Sequence, residues 1–348
     1  MIMRPSPEHP PAPWQSSSRS PEMGAGGEEN CQAALSAPAA FTSAEAQPGT
    51  AHSASTSPNT GDAATANVGM ACPNSEGLET GAPETGASDR NGLEARNVTV
   101  RFGRRTVLHD VTAGPFKRGT IHALLGPNGS GKSTLLRAMA GLLPSSACVT
   151  LNGEDLSAMS LSARTRKCLY LPQDLPAPVH LPVLEALMAA SHTGGGFQAP
   201  QQDDAVRDAL DRLTQFGIAP LALRPLDELS GGQRQLVGLA QAFSRTPEAV
   251  LLDEPLSALD LHHQFAVMTV LRRETTARQL VTVIVLHDLN IALNLTDTVT
   301  VLHEGHIMAS GPPADVLTPA LLRETYRIRA RIEHGADGRS FVSVDGIA

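Results

Sequence analysis

A short apolar run at residues 121–125 leads without a break into Gly126-Pro127-Asn128-Gly129-Ser130-Gly131-Lys132-Ser133-Thr134, and residues 135–143 follow at helical spacing before Pro144. This sequence of strand, glycine loop and helix constrains the chain more than any other stretch. The spacing Gly-x-x-x-x-Gly-Lys-Ser between a strand and a helix is that of a phosphate-binding loop. Its glycines let backbone N–H groups close around phosphate oxygens, and the positive end of the following helix adds to the pull. In such a loop Lys132 neutralises the β- and γ-phosphates and the Ser133 hydroxyl coordinates Mg²⁺.

The alternation of strand and helix continues downstream. Val98, Val100 and Phe102 alternate with polar neighbours at 97–102, a turn follows at Gly103-Arg104-Arg105, and a second strand is predicted at 106–111. Pro115 places that strand at a sheet edge, because proline donates no ladder hydrogen bond. Further strands are predicted at 149–151, 168–171, 249–252 and 280–286, and helices at 233–244, 262–276 and 291–295. Hairpins are predicted at 299–309, around Glu304-Gly305, and at 328–345, turning at 335–338. Residues 174–232 differ in character and read as a helical insertion, with helices at 183–190 and 204–216 and a flexible tip at Gly194-Gly195-Gly196. The class that follows is α/β, with a mainly parallel sheet covered on both faces.

Composition divides the chain unevenly. Over 1–92, Leu, Ile, Val and Phe occur only as Ile2, Leu35, Phe41, Val68 and Leu78. So little apolar surface does not offset the roughly 1–2 kcal/mol per residue of backbone ordering. Residues 1–92 are therefore expected to form a disordered low-complexity tail, and 93–348 the folded part. Of the net charge of −8, seven units sit in the tail, where Arg4, Arg19 and Arg90 face ten acids. The folded part is nearly neutral and has no basic tract, which argues against a nucleic-acid partner. Cys31, Cys72, Cys148 and Cys168 have no C-x-x-C spacing and are expected as free thiols. No stretch carries the roughly 18 consecutive apolar residues of a membrane-spanning helix, and no apolar core follows positive charge at the N-terminus. Any spanning of a membrane is expected of another subunit.

Two further features carry chemistry. The predicted strand at 249–252 ends in Asp253-Glu254. Asp253, at the end of an apolar strand, fits the Walker B position and is expected to hold Mg²⁺, partly through water. A second acid beside it, Glu254, is costly at a buried strand end without a cation, which argues against a mere solvated loop acid. Upstream, Leu229-Ser230-Gly231-Gly232-Gln233 opens the helix at 233–244 and offers a second anion site of N–H groups. A phosphate loop alone would mark only a nucleotide binder. Together with the second glycine motif and the acid pair, in this order, it resembles the ATP-binding cassette family over about residues 95–345. Within that family, Leu259-Asp260-Leu261-His262-His263-Gln264, Leu286-His287-Asp288-Leu289-Asn290 and the segment 311–318 are similar to the import ATPases for iron–siderophore complexes, haem and cobalamin.

The resemblance implies a P-loop cassette with a mainly parallel core, an antiparallel β subdomain and a helical subdomain at about 174–232. It implies an ATP hydrolase of the translocase type, in which Glu254 polarises the attacking water, Gln173 contacts the metal or that water, and His287 bonds the γ-phosphate. Phe102 falls where the family places an aromatic ring against adenine, although tyrosine is commoner there. A head-to-tail homodimer is also implied. In it Ser230, Gly231, Gly232 and Gln233 of one copy meet the γ-phosphate held by Lys132 of the other, and Asp260 lies at the seam. The implied partners are transmembrane permease subunits and, through them, an extracytoplasmic substrate-binding protein. The chain would then be peripheral, on the cytoplasmic face of the membrane. Import of an iron–siderophore complex is the expected function; import of haem or cobalamin, and a soluble non-transport cassette ATPase, are the alternatives.

Overall fold

Apolar runs from distant parts of the chain lie side by side in the computed structural model, which describes residues 91–192, 202–336 and 338–348. In chain order the elements begin with β1 (Gly92–Phe102), β2 (Arg105–Lys117), β3 (Thr120–Leu125), α1 (Lys132–Met139), β4 (Cys148–Leu151), β5 (Glu154–Asp155), α2 (Leu161–Lys167) and β6 (Cys168–Leu171). A helical stretch follows, with α3 (Val183–His192), α4 (Gln202–Gln215) and α5 (Gly231–Phe243). Then come β7 (Ala249–Leu252), α6 (Leu261–Arg278), β8 (Val281–Val285), α7 (Leu289–Leu295), β9 (Thr298–His303) and β10 (His306–Gly311). The chain closes with α8 (Pro313–Val316), α9 (Pro319–Tyr326), β11 (Ile328–His334) and β12 (Ser340–Ile347).

Three sheets result. The central one has the order β10-β9-β3-β8-β7-β6. It is parallel from β9 to β6, with β10 added antiparallel at one edge. A four-stranded antiparallel sheet runs β2-β1-β4-β5, and β11 pairs with β12. Alternation along the central strands feeds two cores. Leu124, Ala249, Leu251, Val281, Val283 and Val285 join α1 and the antiparallel sheet on one face. Ile121, Ala123, Leu125, Val250, Leu252 and Ile284 join α5, α6 and the helical stretch on the other. Burial on both faces is why these strands read as continuous apolar runs rather than as alternating ones.

One buried charge cluster and one buried cation tie neighbouring elements together. Glu274 on α6 is 7% exposed. Its carboxylate meets Arg212 of α4 at 3.0 Å, Arg278 at 3.0 Å and Arg273 at 3.5 Å. Arg278 also donates to the Phe243 and Arg245 carbonyls. On the opposite side Arg164 of α2, 8% exposed, donates to the Ala138 and Met139 carbonyls at the end of α1.

Several expectations change. The first strand begins at Gly92, five residues before the predicted start and one before the expected domain edge. Helix α1 ends at Met139 rather than at 143, because the Arg164 guanidinium takes its last carbonyls and Gly141 turns away with φ +76°. Sequence reading missed β5, α2, α8 and α9, although Thr318 caps α9 and Pro319 opens it. Pro115 does lie on an edge strand, β2. Of the cysteines expected as free, Cys168 is free and buried, with its thiol pushed up to about 12 by burial. Cys148 is disulfide-bonded, while Cys31 and Cys72 lie outside the described residues. The expected tail and the glycine tip at 194–196 also lie outside them. Among the described residues no helix is long and apolar enough to cross a membrane.

Candidate functional site

The sheet order brings the ends of four parallel strands together. β3 runs into the phosphate loop, β8 toward His287, β7 into Asp253-Glu254 and β6 toward Gln173. Register pairs Leu124 with Val285, Ile284 with Leu252, and Leu252 with Leu171, so these four ends form one row. A crevice outside the carboxyl ends of parallel strands is where open α/β sheets bind ligands. Here it is a cleft of about 480 Å³ lined by Asn128, Gly129, Gly131, Lys132, Ser133, Thr134, Gln173, Glu254 and His287, together with Arg105 and Val107 of β2.

The loop is shaped for an anion. Gly131 caps α1 in the left-handed region with φ +106°, and no side chain bonds the first N–H groups. No acid stands in that first turn, so nothing on the helix itself offsets its positive end. Gly126 is required for close approach, since a Cβ there would lie 2.0 Å from the Leu302 carbonyl. The β9–β10 turn braces the loop from behind. Gly305 N–H donates to the Ser130 carbonyl at 3.1 Å, while the Gly305 carbonyl accepts from His109. Lys132, 5% exposed, donates to the Gly126 and Pro127 carbonyls at 2.9 and 3.0 Å. Burial holds its pKa below the usual lysine value, against the pull of Glu254 and Asp253.

The acids are held differently. Asp253, 1% exposed, accepts from Ser133 Oγ on Oδ1 and from the Tyr170 hydroxyl on Oδ2, both at 2.9 Å. Burial pushes the Tyr170 phenol up to about 12. Glu254 has φ +49°, a conformation uncommon for a non-glycine residue and concentrated at functional sites. Its backbone carbonyl accepts from Gln235 Nε2 at 3.0 Å and from Ser257. Its carboxylate accepts from Gln173 Nε2 at 2.8 Å and lies 2.6 Å from His287 Nε2.

These donors fit Mg²⁺ without forming a protein cage. Among the described residues no group of three or more His, Cys, Asp or Glu side chains is placed to hold a metal. What stands together is the Ser133 hydroxyl and the Asp253 carboxylate, both hard oxygens, with the Gln173 amide lining the same cleft and donating its N–H to Glu254. Mg²⁺ takes one or two such groups and completes its shell with water and phosphate oxygens.

Other expected residues stand apart. Phe102, 53% exposed at the end of β1, does not line the cleft. Nor do Ser230, Gly231, Gly232, Gln233 or Asp260. Ser230 and Gln233 instead close a capping box at the start of α5, Ser230 Oγ accepting from Gln233 N and Gln233 Oε1 from Ser230 N. Asp260 caps α6 and bonds His263. Arg105, Val107, Tyr170 and Gln235 were not singled out from the sequence. Only Gln235, two residues beyond the glycine motif, carried a positional hint.

Comparison with known proteins bears on the family that the sequence resembles. Residues 109–257 match the ABC transporter family. The achromobactin transport ATP-binding protein of Dickeya dadantii is 36% identical over 243 residues, which cover 69% of this chain and 89% of that one. The hemin import ATP-binding protein of Bordetella bronchiseptica is 36% identical over 254 residues, covering 69% and 94%. Among solved structures, an ATP-binding cassette of an ABC transporter in its ADP conformation superposes with a TM-score of 0.58 at 26% identity, covering 66% of this chain and 96% of that one. The chain belongs to the ATP-binding proteins of ABC import systems, which hydrolyse ATP.

Proposed function

We propose that this chain is the ATPase subunit of an importer for an iron–siderophore complex, with residues 93–348 as its nucleotide-binding domain and about 174–232 as the helical subdomain. The observation that carries the chemistry is the single row of Lys132, Ser133, Asp253, Glu254, Gln173 and His287 at the ends of four parallel strands. Phosphate oxygens entering the cleft draw Lys132 away from the Gly126 and Pro127 carbonyls, since an anion offers a stronger partner than a neutral carbonyl. Ser133 and Asp253, with Gln173, would hold Mg²⁺, which would supply positive charge against the β- and γ-phosphates. Glu254 takes a proton from the water that attacks the γ-phosphorus, the bond to the β,γ-bridging oxygen breaks, and ADP and inorganic phosphate form. His287 holds Glu254 in place and reaches the γ-phosphate. Phe102 packs against adenine, and Asp260 lies at the seam of a homodimer that brings Ser230, Gly231, Gly232 and Gln233 of the second copy to the γ-phosphate.

In this reading the chain sits peripherally on the cytoplasmic face of the membrane, bound to permease subunits that an extracytoplasmic binding protein supplies. It has no nucleic-acid partner. Similarity to a relative named for iron(3+)-hydroxamate import, 33% identical over 243 residues, supports a ferric-chelate cargo, and similarity to the hemin import relative supports haem as the second reading. Growth of a deletion strain decides between them. Failure on a ferric siderophore as sole iron source, with growth on haem retained, supports the first. Failure on haem alone moves the assignment to the second. Unimpaired growth on both removes iron import and leaves cobalamin uptake to be measured.

A further inference from the structure

Tyr170 stands on β6 between Leu169 and Leu171, which both point into the core on the helical side of the sheet. Alternation therefore turns Tyr170 to the other face, toward α1, where it packs half-buried against the second core. Its hydroxyl does more than fill space. It donates to Asp253 Oδ2 at 2.9 Å and accepts from Arg137 Nε of α1 at 3.1 Å. The other oxygen of Asp253 accepts from Ser133 Oγ at 2.9 Å. The result is a directed chain of hydrogen bonds from a guanidinium, through a phenol, to a buried carboxylate. Hydrogen bonds to ionised groups are roughly twice as strong as those between neutral ones.

A carboxylate rotates about its Cβ–Cγ bond, so a cation site that relies on one needs something to fix the plane. Groups that orient metal ligands from behind commonly change metal affinity 10–100-fold when removed. We propose that Tyr170 is a positioning residue for Mg²⁺: it pins Asp253 Oδ2, so that Oδ1 faces the Ser133 side, and Arg137 directs the phenol's proton toward Asp253. The proposal rests on the assignment of Asp253 and Ser133 to Mg²⁺ given above.

Tyr170→Phe removes one oxygen and leaves the ring, and the test uses the full-length chain. Binding of a non-hydrolysable ATP analogue is titrated with Mg²⁺, so no turnover enters the reading. Half-saturation should move about 10-fold higher, while analogue affinity in EDTA and the melting temperature stay at the parent values. Arg137→Gln, which keeps the phenol, should shift half-saturation in the same direction by a smaller factor. Asp253→Asn separates the two levels. If it abolishes the Mg²⁺ response while Tyr170→Phe stays within twofold of the parent, the positioning role is overturned and the metal assignment stands. If Asp253→Asn leaves the response unchanged, the metal assignment itself fails. Should Tyr170→Phe melt well below the parent, Arg137→Gln decides, and no shift there overturns the proposal.

Discussion

Replacing Glu274 by glutamine tests what holds α4 to the sheet-bearing part of the fold. The carboxylate is 7% exposed and meets Arg212 and Arg278 at 3.0 Å each. Glutamine keeps the volume and one acceptor, but it leaves two guanidinium groups close together with no anion between them. Removing one member of a buried ion pair costs about 3–5 kcal/mol. Arg278 retains its bonds to the Phe243 and Arg245 carbonyls, and its side chain is 28% exposed, so the lower end of that range applies. Arg273, with a side chain 55% exposed, adds nothing measurable. The expected loss is about 3 kcal/mol in urea denaturation, a fall of roughly 6–12 °C in melting temperature for a domain of this size. Hydrogen exchange should rise in α4 and stay unchanged in α1. A loss below about 0.5 kcal/mol, the range of an ordinary surface substitution, would refute the clamp.

Glu254→Gln should bind Mg-ATP yet barely turn it over, accumulating an ATP-dependent dimer in size-exclusion chromatography; hydrolysis near the parent rate would mean that another group takes the proton. Gly305→Ala places a Cβ 2.3 Å from the Val107 carbonyl at φ +77°, so the brace behind the phosphate loop should shift. The expected cost is about 1–3 kcal/mol, with weaker ATP binding measured by calorimetry. His122 is buried between Thr120 and Thr298, and burial lowers its pKa from 6.5 to about 4. The folded state therefore binds fewer protons than the unfolded chain between those values. Stability should be complete above pH 6.5 and fall by up to about 3 kcal/mol toward pH 4, with a shallower slope in His122→Gln.

What the sequence disclosed follows a physical division. The strands of the parallel sheet were legible because burial on both faces leaves mostly apolar runs, unbroken at 249–252 and interrupted only by buried Thr282 at 281–285. Most of the cleft was legible because its residues stand at the ends of those strands, where short motifs mark them; Arg105 and Val107, which reach it from β2, carry no such mark. Contacts made across the fold were not. Tyr170 meets Asp253 across 83 positions, and only the neighbouring of β6 and β7 brings them together. Likewise, the early end of α1 depends on Arg164, 25 residues beyond Met139. Glu274 resembles any charged residue on a helix until Arg212 of α4 arrives.

The Arg164 guanidinium has an electrostatic consequence at the far end of its helix. Helix α1 has eight residues, so its two ends lie only about 12 Å apart. An incoming polyanion feels both poles of so short a dipole, and the negative pole partly cancels the attraction of the positive one. A buried cation seated on the Ala138 and Met139 carbonyls offsets that negative pole, leaving the phosphate loop with the field of a longer helix. At that distance and an effective dielectric constant near 20, one charge acts on another with about 1 kcal/mol. Arg164→Met should therefore loosen ATP several-fold without any contact to the nucleotide. The loss should be larger in dilute buffer than in concentrated salt, since screening removes a field and not a hydrogen bond.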